Sequence, residues 1–141
     1  MPIVDPSAKL IIEVDEILTQ DEASALIDRI DAGNPSVAPI NTPRGPQVHT
    51  GLRNNERVIF DDVQLASDLC ERLREYVHES CHGGTFKGLN ERFRCYRYKP
   101  GMRFGPHLDA PVVRNASERS HNSALFYLIE VEEGGDTVFF T

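Results

Sequence analysis

Apolar positions recur at helical spacing early in the chain. Thr19-Gln20-Asp21-Glu22 has the form of a capping box, in which the first and last side chains bond each other's backbone amide groups. The apolar residues that follow are Ala23, Leu26, Ile27 and Ile30. This spacing predicts one buried face of a helix, which Gly33 and Pro35 should end. The Ile-rich stretch from Lys9 to Val14 is predicted to form a strand before it.

A second helix is predicted from a second capping box, Asp61-Asp62-Val63-Gln64, to about His82, where Gly83-Gly84 follows. At about 100° per residue its apolar side chains share one stripe with a single serine. The stripe consists of Ala66, Leu69, Leu73, Val77 and Ser80, flanked by Cys70 and Tyr76. Between the two helices, the stretch from Gly33 to Thr50 has no periodicity and is predicted to be a long ordered loop.

The second half of the chain has the two-residue alternation that is typical of strands. Strand candidates are Arg57–Phe60, Asn90–Tyr98, Arg103–Asp109, Ser123–Val131 and Asp136–Thr141. Helices that precede strands predict an α+β protein with an antiparallel sheet or barrel. At 141 residues the chain fits one domain. We expect a helical part over about residues 1–82 and a β part over about residues 90–141.

Composition and charge narrow the function classes. The net charge of −7 disfavours binding to nucleic acid or to an anionic membrane. No apolar run approaches the ~20 residues that span a bilayer, and residues 1–9 do not have the pattern of a signal peptide. Three irregularly spaced cysteines indicate reduced thiols. These features predict a cytoplasmic protein, and a nuclear location is also compatible with them.

Two histidine motifs suggest metal chemistry. Residues 78–82 read H-E-S-C-H, the H-E-x-x-H pattern that binds zinc on a helix in metalloproteases. His78 and His82 fall opposite the apolar stripe of the second helix, and Gly83-Gly84 follows at once. A catalytic zinc site needs histidines aimed into a dry cleft, together with a third ligand. The pattern therefore favours two exposed histidines near a helix end over a zinc hydrolase.

His107 and Asp109 form the stronger motif. In a strand, residues two apart project to one face, about 7 Å apart along the chain. A histidine and a carboxylate are two of the three ligands in the 2-His-1-carboxylate triad of non-haem Fe(II) oxygenases. An H-x-D pair alone is a weak signal, and an exposed turn is the alternative explanation.

The surrounding sequence resembles that of the prolyl 4-hydroxylase-like Fe(II)/2-oxoglutarate dioxygenases. The similar stretches are T-G-L-R-N-N-E-R-V-I-F-D-D, N-E-R-F-R-C-Y-R-Y-K-P-G-M-R-F-G-P-H-L-D, S-A-L-F-Y-L and G-G-D-T-V-F-F. The resemblance covers roughly residues 48–141. It implies a double-stranded β-helix, or jelly-roll, core with the helices packed outside it.

The resemblance also implies roles for particular residues. His107 and Asp109 correspond to the first two iron ligands and catalytic residues. Tyr98 corresponds to a tyrosine that contacts 2-oxoglutarate, and Tyr127 to one that lines the cosubstrate pocket; aromatic core packing is the alternative for both. The implied cofactor is Fe(II), with 2-oxoglutarate and O₂ as cosubstrates. The implied substrate is a prolyl or similar side chain of a protein or peptide, and ascorbate dependence is implied as well.

The family pattern continues with a second histidine and a basic residue that binds the distal carboxylate of 2-oxoglutarate. The only histidine after Asp109 is His121, in a polar run that predicts a loop or the start of a strand. Arg114 and Arg119 are the basic candidates. We therefore expect the 141 residues to be an incomplete form of a longer enzyme, without the third iron ligand. The alternatives are a non-catalytic fragment or interaction module of the same fold, and an H-E-x-x-H zinc hydrolase.

Overall fold

The computed structural model describes residues 11–77 and 84–140. Its elements in chain order are α1 (Gln20–Ala32), β1 (Ser36–Val37), β2 (Ile40–Thr42), β3 (Gly45–Gln47), β4 (Glu56–Asp61), α2 (Val63–Leu73), a 3₁₀ turn (Arg74–Tyr76), β5 (Arg92–Arg97), β6 (Val113–Asn115) and β7 (Glu118–Arg119). The strands form three antiparallel sheets, ordered β1-β4-β5, β2-β3 and β6-β7. The predicted α+β class is therefore confirmed, whereas the jelly-roll core stays a prediction.

Helix α1 begins with the predicted capping box. The backbone amide of Glu22 donates to Thr19 Oγ1 over 3.2 Å, and the Thr19 amide donates to Glu22 Oε2 over 2.8 Å. Ala23 and Ile30 are buried, as the apolar spacing predicted. The helix ends at Gly33, where an added Cβ would lie 2.6 Å from Val58 Cγ2. The close approach of this backbone to β4 therefore requires glycine.

Helix α2 starts one residue later than predicted and ends earlier. Asp62 is the N-cap, and its Oδ1 accepts from the Leu65 amide over 2.9 Å. The helix was expected to reach about His82, but it stops at Leu73 and tightens into the 3₁₀ turn. Val77 then adopts an extended backbone, with φ −98° and ψ 120°, which a helix cannot continue through. Of the predicted stripe and its flank, Ala66, Leu69 and Cys70 are buried.

The central sheet is built on the long pairing of β4 with β5. Phe60 pairs with Phe93, and their rings stack with centroids 5.6 Å apart. These strands confirm the predictions for Arg57–Phe60 and Asn90–Tyr98 apart from their ends. Because alternate residues face opposite sides, the sheet separates a helix-facing side from the side that carries Tyr96.

Charged side chains hold α1 against the helix-facing side. Arg97 Nη1 lies 2.8 Å from Asp31 Oδ1, and Arg97 Nε lies 2.6 Å from Glu56 Oε2. Hydrogen bonds from Lys99 and then Arg97 hold the pKa of Glu56 below its usual value. The guanidinium of Arg29 also lies over the Phe60 ring, 3.8 Å from its centre. These contacts fix the helix relative to both central strands.

The predicted loop from Gly33 to Thr50 contains three short strands. Strand β1 pairs with β4, while β2 and β3 form a hairpin. Thr42 Oγ1 donates to the Gly45 carbonyl over 2.7 Å, and Gly45 takes a φ of 95° that favours glycine. Strands of two or three residues are too short to show periodicity, which is why the pattern missed them.

Four other strand predictions were wrong within the described residues. Residues 11–14, 103–109, 123–131 and 136–140 form no regular strand, although Phe104 makes one isolated bridge to Arg53. Most apolar side chains in the last two segments are exposed, because no described strand pairs with these segments to supply ladder hydrogen bonds and a covering face. Instead, β6 and β7 form in a stretch that was predicted to be a polar loop. Among the described residues, no helix is both long and apolar enough to cross a membrane.

Candidate functional site

The candidate site begins where residues 103–105 lie alongside residues 52–54. An isolated antiparallel bridge joins Arg53 to Phe104. Three hydrogen bonds surround it: Gly105 N to Leu52 O at 2.7 Å, Asn54 N to Arg103 O at 3.1 Å, and Arg103 N to Asn54 Oδ1 at 2.7 Å. These contacts join two segments that are distant in the chain, residues 52–54 and residues 103–105.

The imidazole of His107 is oriented by two contacts. Its ring stacks on Phe104, with centroids 3.6 Å apart and planes 13° apart. Its Nδ1 lies 2.8 Å from the carbonyl oxygen of Gly105. Because a carbonyl only accepts hydrogen bonds, Nδ1 carries a proton, so that in a neutral ring the lone pair would be on Nε2. Metal-binding histidines are oriented in the same way, by a hydrogen bond from the other ring nitrogen.

Asp109 lies beside His107, although residues 103–109 do not form the strand that was predicted to align the two side chains. The distance between His107 Nε2 and Asp109 Oδ1 is 3.4 Å. The other oxygen, Oδ2, accepts from the Ser123 hydroxyl over 2.7 Å. The pair is open to solvent, with 38% of the His107 side chain and 66% of the Asp109 side chain exposed. The described residues therefore do not enclose the pair.

Tyr98 has Arg53, Tyr96 and Tyr127 in its electrostatic environment. Burial raises the pKa of Tyr98, with smaller contributions from Tyr96 and Tyr127, while Arg53 lowers the same pKa. Tyr98 is half-exposed and Tyr127 is exposed. The Tyr127 hydroxyl hydrogen-bonds to Thr137 Oγ1. Arg53 and Tyr127 therefore both act on the pKa of Tyr98. The Phe104 ring contacts both Arg53 and His107.

The remaining sequence candidates lie elsewhere. Arg114, one candidate for the 2-oxoglutarate carboxylate, is paired with Glu91 and lies 3.5 Å from Glu118. Arg119 is exposed in β7, and His121 is exposed beyond it. The H-E-x-x-H motif at residues 78–82 lies outside the described residues.

The donor atoms of His107 and Asp109 fit two adjacent ligands of one metal ion. Two such ligands, each about 2.1 Å from the ion and at right angles, lie about 3 Å apart. The observed separation of 3.4 Å is close to that value. Imidazole nitrogen and carboxylate oxygen are also the donor types of the iron triad. Within residues 11–77 and 84–140, no group of three or more His, Cys, Asp and Glu side chains is placed to hold a metal ion.

Sequence reasoning missed three contributors to this site. Phe104 packs on His107, Ser123 bonds Asp109, and Arg53 lies buried beside Phe104. The H-x-D spacing gives no information about partners as distant as Ser123 or Arg53. In the sequence, only Phe104, three positions before His107, could have indicated such a contact.

Comparisons of the chain with models of protein families, with curated proteins and with solved structures found no match.

Proposed function

We propose that the protein is an Fe(II)- and 2-oxoglutarate-dependent dioxygenase in which His107 and Asp109 are two of the three protein ligands to iron. The observation that carries the proposal is the 3.4 Å approach of Nε2 to Oδ1, with Nδ1 held by the Gly105 carbonyl. A neutral imidazole and a carboxylate then direct lone pairs toward one another. That arrangement is favourable when a cation or a proton lies between them.

When bound, Fe(II) would couple oxidative decarboxylation of 2-oxoglutarate by O₂ to hydroxylation of a substrate C–H bond. The protein's own residues orient the two ligands. Phe104 fixes the plane of the imidazole, and Ser123 holds the second oxygen of Asp109. Such outer partners keep the first ligands in position for the metal.

The finer parts of the proposal rest on the sequence resemblance. They are the jelly-roll core, contact of Tyr98 and Tyr127 with 2-oxoglutarate, and a prolyl or similar side chain as substrate. The small contribution of Tyr127 to the raised pKa of Tyr98 supports a shared role for the two phenols. The resemblance implies a third iron ligand in addition to His107 and Asp109. It also implies that ascorbate activates the enzyme.

An ion pair is the second explanation for the same contact. With His107 protonated, Nε2 would donate to Asp109, and the pair would serve only to hold residues 107–109 in place. The two explanations differ in what happens when a divalent cation is added, since Nε2 of a protonated imidazole has no lone pair to offer.

Metal binding and 2-oxoglutarate turnover test the proposal directly. We expect the 141-residue chain to bind Co(II), as a spectroscopic substitute for Fe(II), and His107→Ala and Asp109→Ala each to weaken that binding by about tenfold or more. Succinate formed from 2-oxoglutarate with Fe(II) and O₂, if the chain turns over, should disappear in both variants.

His49→Ala is the matched control, because the exposed His49 side chain hydrogen-bonds only to Gln47, at 3.4 Å, among the described residues. It should leave Co(II) affinity unchanged. If His107→Ala and Asp109→Ala bind Co(II) as tightly as the unaltered chain, the ion-pair explanation is correct and the dioxygenase proposal fails.

A further inference from the structure

Arg53 is a buried cation without a counter-charge among the described residues. Only 4% of its surface is exposed. Its Nε donates to Asn55 Oδ1 over 2.9 Å, and Asn55 is itself fully buried. The Nη2 atom is shielded from solvent and has no hydrogen-bond partner among the described residues. By contrast, the more exposed Arg72 and Arg92 each pair with a carboxylate.

Two aromatic rings fix the plane of the Arg53 guanidinium. Its Cζ lies 4.6 Å from the centre of the Tyr96 ring and 4.0 Å from the centre of the Phe104 ring. Ring faces attract the charge but take up none of the in-plane N–H groups. Since Asn55 occupies Nε, the edge formed by Nη1 and Nη2 is left without acceptors among the described residues.

This free edge has the shape of a carboxylate receptor. Two parallel N–H···O bonds from a guanidinium match the two oxygens of a carboxylate, and charge-assisted bonds are stronger than neutral ones. A buried charge without a partner is costly, whereas an anionic ligand would remove that cost. Because Nε is tied to Asn55 and the plane is held by aromatic rings, the guanidinium is already oriented for such a ligand.

The free edge lies one ring away from the candidate metal ligands. The Phe104 ring has Arg53 on one face and His107 on the other, because one face cannot hold two planar groups within about 4 Å of its centre. Arg53 also acts electrostatically on Tyr98. A carboxylate at Arg53 would therefore lie beside the residues that the proposed function assigns to the site.

We propose that Arg53 binds the carboxylate of an acidic ligand through its Nη1–Nη2 edge, next to the His107–Asp109 pair. The inference rests on the proposed function, because it names a ligand that binds at the same site. The carboxylate belongs either to the dicarboxylic cosubstrate or to an acidic side chain of the substrate. The chemistry recognised at Arg53 is the same in both cases.

Titration of the full 141-residue chain with glutarate, followed by the NMR signal of the Arg53 Nε–Hε group, tests the proposal without metal. We expect a saturable shift of that signal in the unaltered chain. Arg53→Met should weaken glutarate binding by about tenfold or more, measured by calorimetry. Arg94→Met is the control and should leave binding unchanged, since Arg94 is an exposed arginine on the side of the sheet that carries Tyr96.

Further ligands identify the source of the carboxylate. Binding of glutarate but not of an acetylated aspartyl peptide indicates the cosubstrate, and the reverse indicates the substrate; either supports the proposal. Equal binding of sulfate and glutarate, or no saturable shift at Arg53, overturns it. The NMR measurement on the unaltered chain decides the question even if Arg53→Met does not fold.

Failure of this inference can be told from failure of the proposed function. Co(II) binding that persists in Arg53→Met while glutarate binding is lost separates the anion site from the metal ligands. If His107→Ala binds both Co(II) and glutarate as tightly as the unaltered chain, the dioxygenase proposal is overturned and the carboxylate site remains.

Discussion

At the scale of the residue, Gly105 determines whether the candidate site can form. Its amide donates to the Leu52 carbonyl over 2.7 Å, and its carbonyl accepts from His107 Nδ1. A Cβ added at Gly105 would lie 2.9 Å from Leu52 Cδ1 and 3.2 Å from the Leu52 carbonyl oxygen. The side-chain end can move away, but the backbone oxygen is held by the hydrogen bond. The absence of a side chain therefore allows the two segments of the site to meet.

Gly105→Ala is expected to destabilise the protein by about 1–3 kcal/mol relative to Gly51→Ala, which introduces the same methyl group into open space. Both substitutions reduce the entropy of the unfolded chain similarly, so their difference reports the crowding against Leu52. Chemical denaturation of the two variants measures it. Equal stability would show that the backbone shifts without cost, and that residues 103–105 are not tightly held.

At the scale of the element, α1 and α2 are joined through one carboxylate. Arg72 of α2 donates to both oxygens of Glu22, over 2.8 Å and 2.6 Å, and also to the Ile17 carbonyl over 2.8 Å. Glu22 at the same time completes the capping box of α1 with Thr19. The hydrogen bonds from Arg72, followed by that from the Thr19 amide, lower the pKa of Glu22 from 4.5 to about 2. One side chain thus caps its own helix and binds the next.

The stability that ionised Glu22 contributes should depend on pH in a defined window. Because the folded pKa is lowered, this contribution is fully present above the unfolded value of 4.5 and is lost as the pH falls toward about 2. Glu22→Gln should therefore be less stable than the unaltered chain at pH 6, with the difference shrinking below pH 4.5. Denaturant unfolding at several pH values measures this difference.

Asp21→Asn serves as the control for this titration. Asp21 also lies in the first turn of α1, but it has no ion pair with a described residue. Its substitution should reproduce little of the pH-dependent difference. A difference for Glu22→Gln that stays constant from pH 6 to pH 2.5 would contradict the assigned role of the Arg72 contact.

At the scale of the whole molecule, order is concentrated around the β4–β5 pair. This pair carries α1 on one side of the sheet and the Arg53–Tyr96 contact on the other. Among the described residues the buried apolar side chains are few, and half of them are alanines: Ala23, Ile30, Ala38, Ala66, Leu69 and Cys70. Among the described residues, no helix or strand follows Arg119. The candidate site therefore lies between a well-paired sheet and a segment that makes few backbone hydrogen bonds.

Amide hydrogen exchange should reproduce this gradient. We expect amides in β4 and β5 to exchange most slowly, and those of residues 124–140 to exchange about three orders of magnitude faster, for a global stability of about 5 kcal/mol. Exchange followed by mass spectrometry measures both, with rates in denaturant as the unprotected reference. Equal protection across the two regions would show that residues 124–140 are paired in solution.

The sequence predicted some elements well because their signals are local. The capping box of Thr19 and Glu22 was confirmed, as were the strands around Phe60 and Phe93. The early end of α2 was not predicted, since the choice between α and 3₁₀ bonding after Leu73 depends on packing that the spacing does not encode. Segment 123–131 has the alternation of a strand but forms none, because a strand also needs a partner.

The sequence by itself determined that His107 and Asp109 are near one another, because two residues separated by one position cannot be far apart. It also determined where α1 begins, through side chains three positions apart. Only the tertiary structure decided which nitrogen of His107 faces the Gly105 carbonyl, which hydroxyl bonds Asp109, and that Arg53 is buried without a counter-charge among the described residues. The last two features depend on contacts between segments distant in the chain, Ser123 with Asp109 at 14 positions and Arg53 with Phe104 at 51 positions. Local periodicity carries no information about such distant contacts.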